Sequence, residues 1–167
     1  MKNIWKLLIF ATFFLLSQQA YCFLHFEPGI GYNRGHRQAA KTQGIGLTTK
    51  LGVEFTSFFI VADVGYHNLQ ISSTPSSTAT DMGLCFGGDF KTWRFWFTYL
   101  VAADVKTEGT TTTEYKGDGL KLGMSGRLSN KAYMNLEVRF IDFSELNGAP
   151  TTHIMDVALL SVSWKLL

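Results

Sequence analysis

Several charged side chains stand at alternate positions along the chain, where they could form a network of ion pairs. In the segment YMNLEVRFID (residues 133–142), Glu137 and Arg139 are two residues apart, so an extended backbone places them on one face. Four further charged residues lie on the polar face of similar segments: Lys50, Glu54, Lys121 and Arg127. If this face is buried, the charges must pair, because an unpaired buried charge is strongly destabilising. Such a network can close an interior or gate a narrow ion path.

Acid–base chemistry has two candidate pairs. His67 and Asp63 share a face, and so do His25 and Glu27. Neither pair has a serine or cysteine nucleophile at an evident spacing, and no histidine of the chain stands in a His-x-Ser sequence. We therefore predict no catalytic residues, no cofactor and a chain that is not an enzyme.

The first 22 residues read as a secretory signal peptide. Lys2 and Lys6 precede a short apolar run, and the small residues Ala20 and Cys22 then occupy positions −3 and −1 of a cleavage site before Phe23. The apolar run is shorter than the ~20 residues that a membrane helix needs. We predict residues 1–22 as a Sec signal peptide and residues 23–167 as a single mature domain.

Charge and cysteine content exclude several functions for this mature domain. Without Lys2 and Lys6 it carries 13 basic and 13 acidic residues, so it lacks the basic field that nucleic-acid binding requires. Cys85 is its single cysteine, which excludes an internal disulfide and offers no metal site. We expect Cys85 to be a small interior residue between Gly83 and Gly87.

The elements that carry these residues are predicted to be strands, because apolar and polar residues alternate with a period of two. The apolar face is clear in eight segments: 24–32, 45–55, 58–66, 82–90, 93–101, 120–128, 134–140 and 158–166. The opposite face is rich in glycine, serine and balanced charges, although Phe59 and Trp96 interrupt it. Either face can be the interior: a soluble barrel buries its apolar face, whereas a membrane barrel buries its polar face.

Three features favour the membrane barrel. A narrow eight-stranded lumen accommodates small residues and paired charges. Short connections alternate with long polar ones, and both termini lie with the short ones, as in bacterial barrels; the predicted long loops are residues 34–43, 68–80, 106–117 and 144–153. Aromatic residues gather at both ends of the strands, as interfacial girdles do. At the long-loop end these are Tyr32, Tyr66, Tyr115, Phe140 and Phe143.

Three stretches resemble a known family: EPGIGY, ADVGY and YKGDGLKLGMSGRLSNKAYMNLEVRFIDFS are similar to the small eight-stranded outer-membrane barrels of the OmpA and OmpX type. In that family a glycine-punctuated strand, a tight turn and a strongly alternating strand follow one another near the C-terminus. The resemblance spans the mature domain. It implies an all-β fold, an eight-stranded antiparallel up-and-down transmembrane β-barrel, in the bacterial outer membrane. The family's last strand commonly ends in an aromatic residue, whereas this chain ends in SVSWKLL.

The resemblance implies outer-membrane lipid, lipopolysaccharide and the outer-membrane insertion machinery as partners, and we expect a monomer. Basic residues of the first predicted loop suit lipopolysaccharide phosphates, because arginine and lysine bind phosphate well; they are Arg34, Arg37 and Lys41. We expect a non-enzymatic structural or surface-interaction protein of the Gram-negative envelope. The alternatives are a narrow pore for ions or small solutes and a lipid-modifying barrel enzyme.

Overall fold

The described part of the chain is one antiparallel sheet closed on itself. A computed structural model describes residues 23–37, 40–71, 76–109 and 112–166. The strands follow in chain order: β1 (Phe23–Arg37), β2 (Ala40–Glu54), β3 (Phe58–Ile71), β4 (Ser77–Phe90), β5 (Trp93–Thr107), β6 (Thr113–Arg127), β7 (Ala132–Leu146) and β8 (Ala149–Trp164). Each strand pairs with its neighbours in sequence, and residues 29–37 of β1 pair with residues 155–163 of β8, so the sheet closes into a barrel. The predicted all-β, eight-stranded antiparallel up-and-down barrel is confirmed.

The predicted signal peptide, residues 1–22, lies outside the described residues. Within them there is no helix long and apolar enough to cross a membrane.

Short connections and both ends of the described chain lie at one end of the barrel, which we call the terminal end. Residues 55–57, 91–92 and 128–131 make these connections. The last described residue, Leu166, donates its backbone N–H to the carbonyl oxygen of Phe26 at 2.9 Å, which fixes the C-terminus beside β1.

At the opposite end the strands continue where long loops are expected. β1 runs to Arg37 and β2 starts at Ala40, so residues 34–37 and 40–43 of the predicted first loop are paired strand. Asn147 and Gly148 alone connect β7 to β8, with φ angles of 50° and 80°, as a two-residue type I′ hairpin turn requires. The predicted loop of residues 144–153 is therefore almost entirely strand as well.

An apolar belt surrounds the barrel. Along every strand the outward-facing residues are apolar, or small and uncharged, over a window of nine residues, which for β6 and β8 includes the one or two residues after the strand: 24–32, 45–53, 58–66, 82–90, 93–101, 120–128, 132–140 and 158–166. The large side chains in these windows are about half exposed, for example Leu136 at 45% and Phe95 at 49%. Nine residues match the ~9–11 that a tilted strand needs to cross a bilayer's hydrocarbon core. A belt of this height fits lipid.

Beyond the belt, at the end away from the termini, every strand continues for at least five residues; we call this part of the barrel the extension. Here the two faces exchange character. Arg34, Asp142 and Asp156 point outward and are exposed, whereas Leu69 and Met155 point inward and are buried. The barrel thus has a mainly polar interior within the belt and a mainly apolar interior above it.

A β-bulge contributes to this reversal. The register of β5 shifts between Leu100 and Ala103, so Ala103 and Val105 are buried and Asp104 turns outward, although simple alternation from residue 94 would place it inside. Two residues predicted for the outer aromatic girdle also belong to the interior. Phe143 is fully buried, and the ring of Tyr115 packs against it with centroids 5.6 Å apart.

Glycines make room for the two aromatic residues that interrupt the polar face. A Cβ atom at Gly123 would overlap the indole of Trp96, and a Cβ atom at Gly87 would overlap the ring of Phe59. We predict that Gly123→Ala lowers the free energy of unfolding by about 1–3 kcal/mol, because overpacking a filled interior is destabilising. Urea titration in lipid vesicles measures this change. Gly126→Ala is the matched control, since its Cβ would lie no closer than 3.6 Å to Trp93; an equal loss in both variants would contradict the prediction.

Candidate functional site

Lys121 is the centre of the charged interior. Its Nζ atom lies 3.1 Å from Oδ2 of Asp63 and 3.0 Å from Oδ1 of Asp81. Glu137 is the third carboxylate, at 4.0 Å from Lys121 and 3.7 Å from Nζ of Lys50. All five side chains are at least 95% buried, so each charge depends on the others for stabilisation.

A second group of polar residues lies just above, where the apolar belt ends. Nη1 of Arg139 donates to Oδ2 of Asp81 at 2.7 Å, and Nη2 donates to Oδ1 of Asn33. His67 fills the space between them, with Nε2 3.0 Å from Asp81 and Nδ1 3.2 Å from the Asn33 amide. Since Asp81 binds both Lys121 and Arg139, it joins this group to the one below.

A third cluster closes the terminal end of the interior. Glu27 accepts hydrogen bonds from Nη1 of Arg94 at 2.7 Å and from Oγ of Ser163 at 2.6 Å. The Arg94 guanidinium lies between two rings, 4.8 Å from the centroid of Phe59 and 4.5 Å from that of Tyr133. β1 and β5 are on opposite sides of the barrel, so the Glu27–Arg94 pair spans the lumen.

His25 connects this third cluster to β2. Its Nε2 atom is 3.2 Å from Glu27, and its Nδ1 atom is 2.7 Å from Glu54, which also pairs with Lys165. Cys85 is buried in the same half of the barrel, in an apolar group with Phe59, Val61 and Trp96.

The structure brings together four of the six residues predicted as one charge network: Lys50, Lys121, Glu137 and Arg139. Glu54 belongs to the cluster at the terminal end, and Arg127 lies at that end with 40% of its side chain exposed, 3.9 Å from Asp89. Glu137 and Arg139 do not pair with each other, because each is directed to a different strand. His67 contacts Asp81, whereas its predicted partner Asp63 binds Lys121 and accepts a hydrogen bond from Thr98.

Asp81, Arg94 and Glu27 also belong to these clusters, although they are not among the residues predicted for the network. Their partners come from strands far apart in sequence, so partner choice depends on the diameter and stagger of the closed barrel. Alternation predicts whether a side chain faces inward or outward, but it does not predict which side chains of other strands it meets across the lumen.

Above the charged residues, apolar side chains fill the extension, together with Leu100 at the upper end of the belt. The buried members are Leu69, Ile71, Ala79, Leu100, Ala103, Val105, Ile141, Phe143, Met155 and Val157, with Ala40 and Tyr115 packed against them. They come from seven strands, β2 to β8, and so cover the lumen from almost every side. Arg37, from the remaining strand, lies over the Tyr115 ring at 4.6 Å from its centroid. We call this group the apolar plug.

The predicted phosphate-binding residues do not share one face. Arg34 and Lys41 point outward on neighbouring strands, and pairing of Arg34 with Gln43 makes Lys41 a diagonal neighbour of Arg34. Arg37 points inward over Tyr115 instead, which removes it from the outer surface. His36 points outward beside Lys41, opposite Asp156 of β8.

The outer surface of the extension has an uneven charge distribution. Arg34, His36 and Lys41 lie on β1 and β2, whereas outward-facing aspartates follow on β5 to β8: Asp104, Asp118, Asp142 and Asp156. Lys106 and Lys116 lie among these acids, and both are within 4 Å of Glu114. An anionic ligand is therefore best accommodated on the β1–β2 side.

No group of three or more histidine, cysteine, aspartate or glutamate side chains in the described part of the chain is arranged to hold a metal ion. The ion pairs of Lys121 and Arg139 are buried between the apolar plug on one side and the rings of Phe59 and Tyr133 on the other. This arrangement stabilises a filled barrel.

Comparisons with known proteins agree with the fold. No protein-family model matches this chain, and no curated protein matches its sequence. Among solved structures, Neisserial surface protein A superposes with a TM-score of 0.59 at 10% identity, over 87% of this chain and 99% of that one. The attachment invasion locus protein Ail of Yersinia pestis, in complex with the heparin analogue sucrose octasulfate, gives a TM-score of 0.60 at 8% identity, over 86% and 99%. The chain has the fold of the small eight-stranded outer-membrane β-barrels.

Proposed function

We propose that this chain is a structural and surface-interaction protein of the bacterial outer membrane, closed to solutes, whose extension binds lipopolysaccharide phosphates. The observation that carries the proposal is the reversal of polarity at the top of the apolar belt. A barrel that is apolar outside over the height of a bilayer, and polar outside above it, matches a membrane surface at that level. Export by the Sec signal peptide and assembly by the insertion machinery place the termini in the periplasm and the extension outside the cell.

The filled interior supports a structural role over a pore. Side chains of an eight-stranded barrel pack its lumen, and here Trp96, Phe59 and the apolar plug add bulk at two levels. We expect no discrete conductance steps after reconstitution of the monomer in a planar bilayer. Discrete steps would favour the narrow pore. Altered lipid A, detected by mass spectrometry of cells that express the protein, would favour a lipid-modifying enzyme.

Arg34 and Lys41 are the proposed phosphate-binding residues. They are outward-facing, close to each other and directly above the belt, where lipopolysaccharide phosphates lie in the outer leaflet. Arginine and lysine near an anionic membrane surface contribute about 1 kcal/mol each. The Ail complex shows that a barrel of this fold can hold a sulfated sugar analogue, and the β1–β2 side of this barrel offers the charges for such an anion.

We predict that Arg34→Gln with Lys41→Gln weakens lipopolysaccharide binding by about 2 kcal/mol, roughly thirtyfold. Titration of nanodisc-embedded protein with lipopolysaccharide micelles measures the change. Lys106→Gln with Lys116→Gln removes the same charge from the opposite side, where Glu114 and Asp104 lie across the β5–β6 ladder from these lysines and offset their charge, and binding should stay unchanged. Equal weakening in the two double variants would reduce the proposal to an effect of net charge.

A further inference from the structure

A groove lined by both apolar side chains and amides opens on the outer wall where the apolar belt ends. Its volume is about 310 Å³, and its walls come from Tyr32 of β1, Gln43, Gly44 and Ile45 of β2, and Asn68 and Gln70 of β3. Tyr32 and Ile45 are the last residues of the belt on their strands, whereas the three amides belong to the extension. The groove therefore lies at the level of lipid headgroups, a position that rests on the outer-membrane placement proposed above.

The wall has this shape because β2 and β3 approach each other closely beside the groove. A Cβ atom at Gly44 would overlap the backbone carbonyl of Asn68, so only glycine fits there. The phenol of Tyr32 donates a hydrogen bond to Oε1 of Gln43 at 3.2 Å, which holds the Gln43 amide against one wall.

The side chains that line the groove select a class of ligand. Three carboxamides each offer two donors and one acceptor, and none of the lining residues is charged. Vicinal hydroxyl groups of a sugar present donors and acceptors with similar spacing, and the C–H face of a sugar ring can pack on Tyr32 and Ile45. A free phosphate would find no cation in the groove, and an acyl chain would leave the amides without partners.

We propose that this groove binds a neutral segment of a saccharide at the membrane surface. A volume of 310 Å³ is at the lower end of the range for small-molecule sites, so the segment is short. The groove is open to the side, which admits a saccharide that is attached to a lipid. Arg34 stands opposite Gln43 in the β1–β2 register, so a phosphate next to the bound sugar would meet this cation.

Two probes distinguish the sources of the sugar: nanodiscs that contain dephosphorylated rough lipopolysaccharide, and the dephosphorylated core oligosaccharide in free form. Each is tested with the full mature chain by selective ¹⁵N labelling of asparagine and glutamine side chains. We expect saccharide-dependent shifts of the Gln43, Asn68 and Gln70 amide signals. Shifts with the nanodisc probe alone identify a glycolipid headgroup, and shifts with both probes identify a saccharide that binds without its lipid.

The variant Asn68→Leu with Gln70→Leu should weaken binding of the responding probe about tenfold, since it removes two hydrogen-bonding amides. Thr78→Val with Thr80→Val makes the same number of polar-to-apolar changes on the next strand, outside the groove, and should leave binding unchanged. Gel migration that shifts on boiling verifies that each variant has folded. Absence of binding by both probes, or equal weakening in both variants, overturns the saccharide site.

A separate experiment tests the phosphate proposal. Loss of binding in the Arg34 and Lys41 variant, with phosphorylated lipopolysaccharide as the probe, reports on the cations alone. A groove variant that loses the dephosphorylated probes while the cation variant retains the phosphorylated one would leave the saccharide site standing without the phosphate contact.

Discussion

Replacing Lys121 with methionine should lower the free energy of unfolding by about 3–5 kcal/mol, because it leaves buried carboxylates without their shared cation. Lys121 lies within 4.0 Å of Asp63, Asp81 and Glu137. Arg139 still contacts Asp81 and Lys50 still contacts Glu137, but Asp63 keeps only the hydroxyl of Thr98 among its described hydrogen bonds. Urea unfolding in lipid vesicles, followed by tryptophan fluorescence, measures the loss.

Two controls separate the electrostatic effect from lost packing. Lys106→Met removes a lysine whose side chain is 57% exposed and 3.4 Å from Glu114, and it should change stability by less than about 1 kcal/mol. Adding Asp63→Asn to Lys121→Met removes the unpaired carboxylate and should recover part of the lost stability. A Lys121→Met variant as stable as Lys106→Met would show that the central cluster is not a buried ion network.

Replacing Phe143 with alanine should destabilise the barrel by about 3–5 kcal/mol, the usual effect of removing a buried phenylalanine from a packed core. Its side chain is fully buried, and it packs on Tyr115 within the apolar plug. The effect depends on the plug being a core of the kind found in soluble proteins. Lipid cannot fill the space, since the phenylalanine points away from the outer wall.

The matched control is the next residue, which faces the other way. Asp142→Ala changes an exposed side chain that stands opposite Asp118 across the β6–β7 ladder. Since like charges opposite each other are unfavourable, stability should rise slightly or change by less than about 0.5 kcal/mol. If Phe143→Ala were as mild as this control, the interior of the extension would be open and solvated.

Period-two alternation was sufficient to predict the strands and, within the belt, the face of most residues. Glu137, Arg139 and Lys121 are interior for the reason that the sequence shows: their neighbours on both sides are apolar, and lipid accepts those neighbours. The sequence also predicts where the belt begins at the terminal end, because the connections there are only two to four residues long.

The extension does not follow from a single rule, polar inside and apolar outside, for the whole strand. Above the membrane surface the outer solvent is water, so Phe143 and Met155 point inward for the same physical reason that Leu136 points outward. The sequence does contain a signal for the hairpin turn, because Asn147-Gly148 is the dipeptide that type I′ turns favour. This dipeptide marks where β7 ends. The bulge at Leu100–Ala103 has no such signal in the sequence.

The sequence does not predict which side chains pair inside the lumen, and the reason is different. Asp63 and His67 are on the same strand and face, yet they bind different residues because Asp81 and Lys121 reach them from other strands. These contacts are set by strand stagger around the closed barrel, which one sequence does not give.

A nitroxide scan along the outer face tests the central claim, the reversal of polarity, most directly. Single cysteines in a Cys85→Ala background, spin-labelled and reconstituted in bilayers, report collision rates with oxygen, which dissolves in lipid, and with a water-soluble nickel chelate. The account predicts lipid-like values at residues 134, 136, 138 and 140 of β7, with the strongest oxygen preference at 136. It predicts water-like values at residue 142 and at residue 154 of β8. Nickel access at 136, or oxygen preference that persists at 142 and 154, would contradict it.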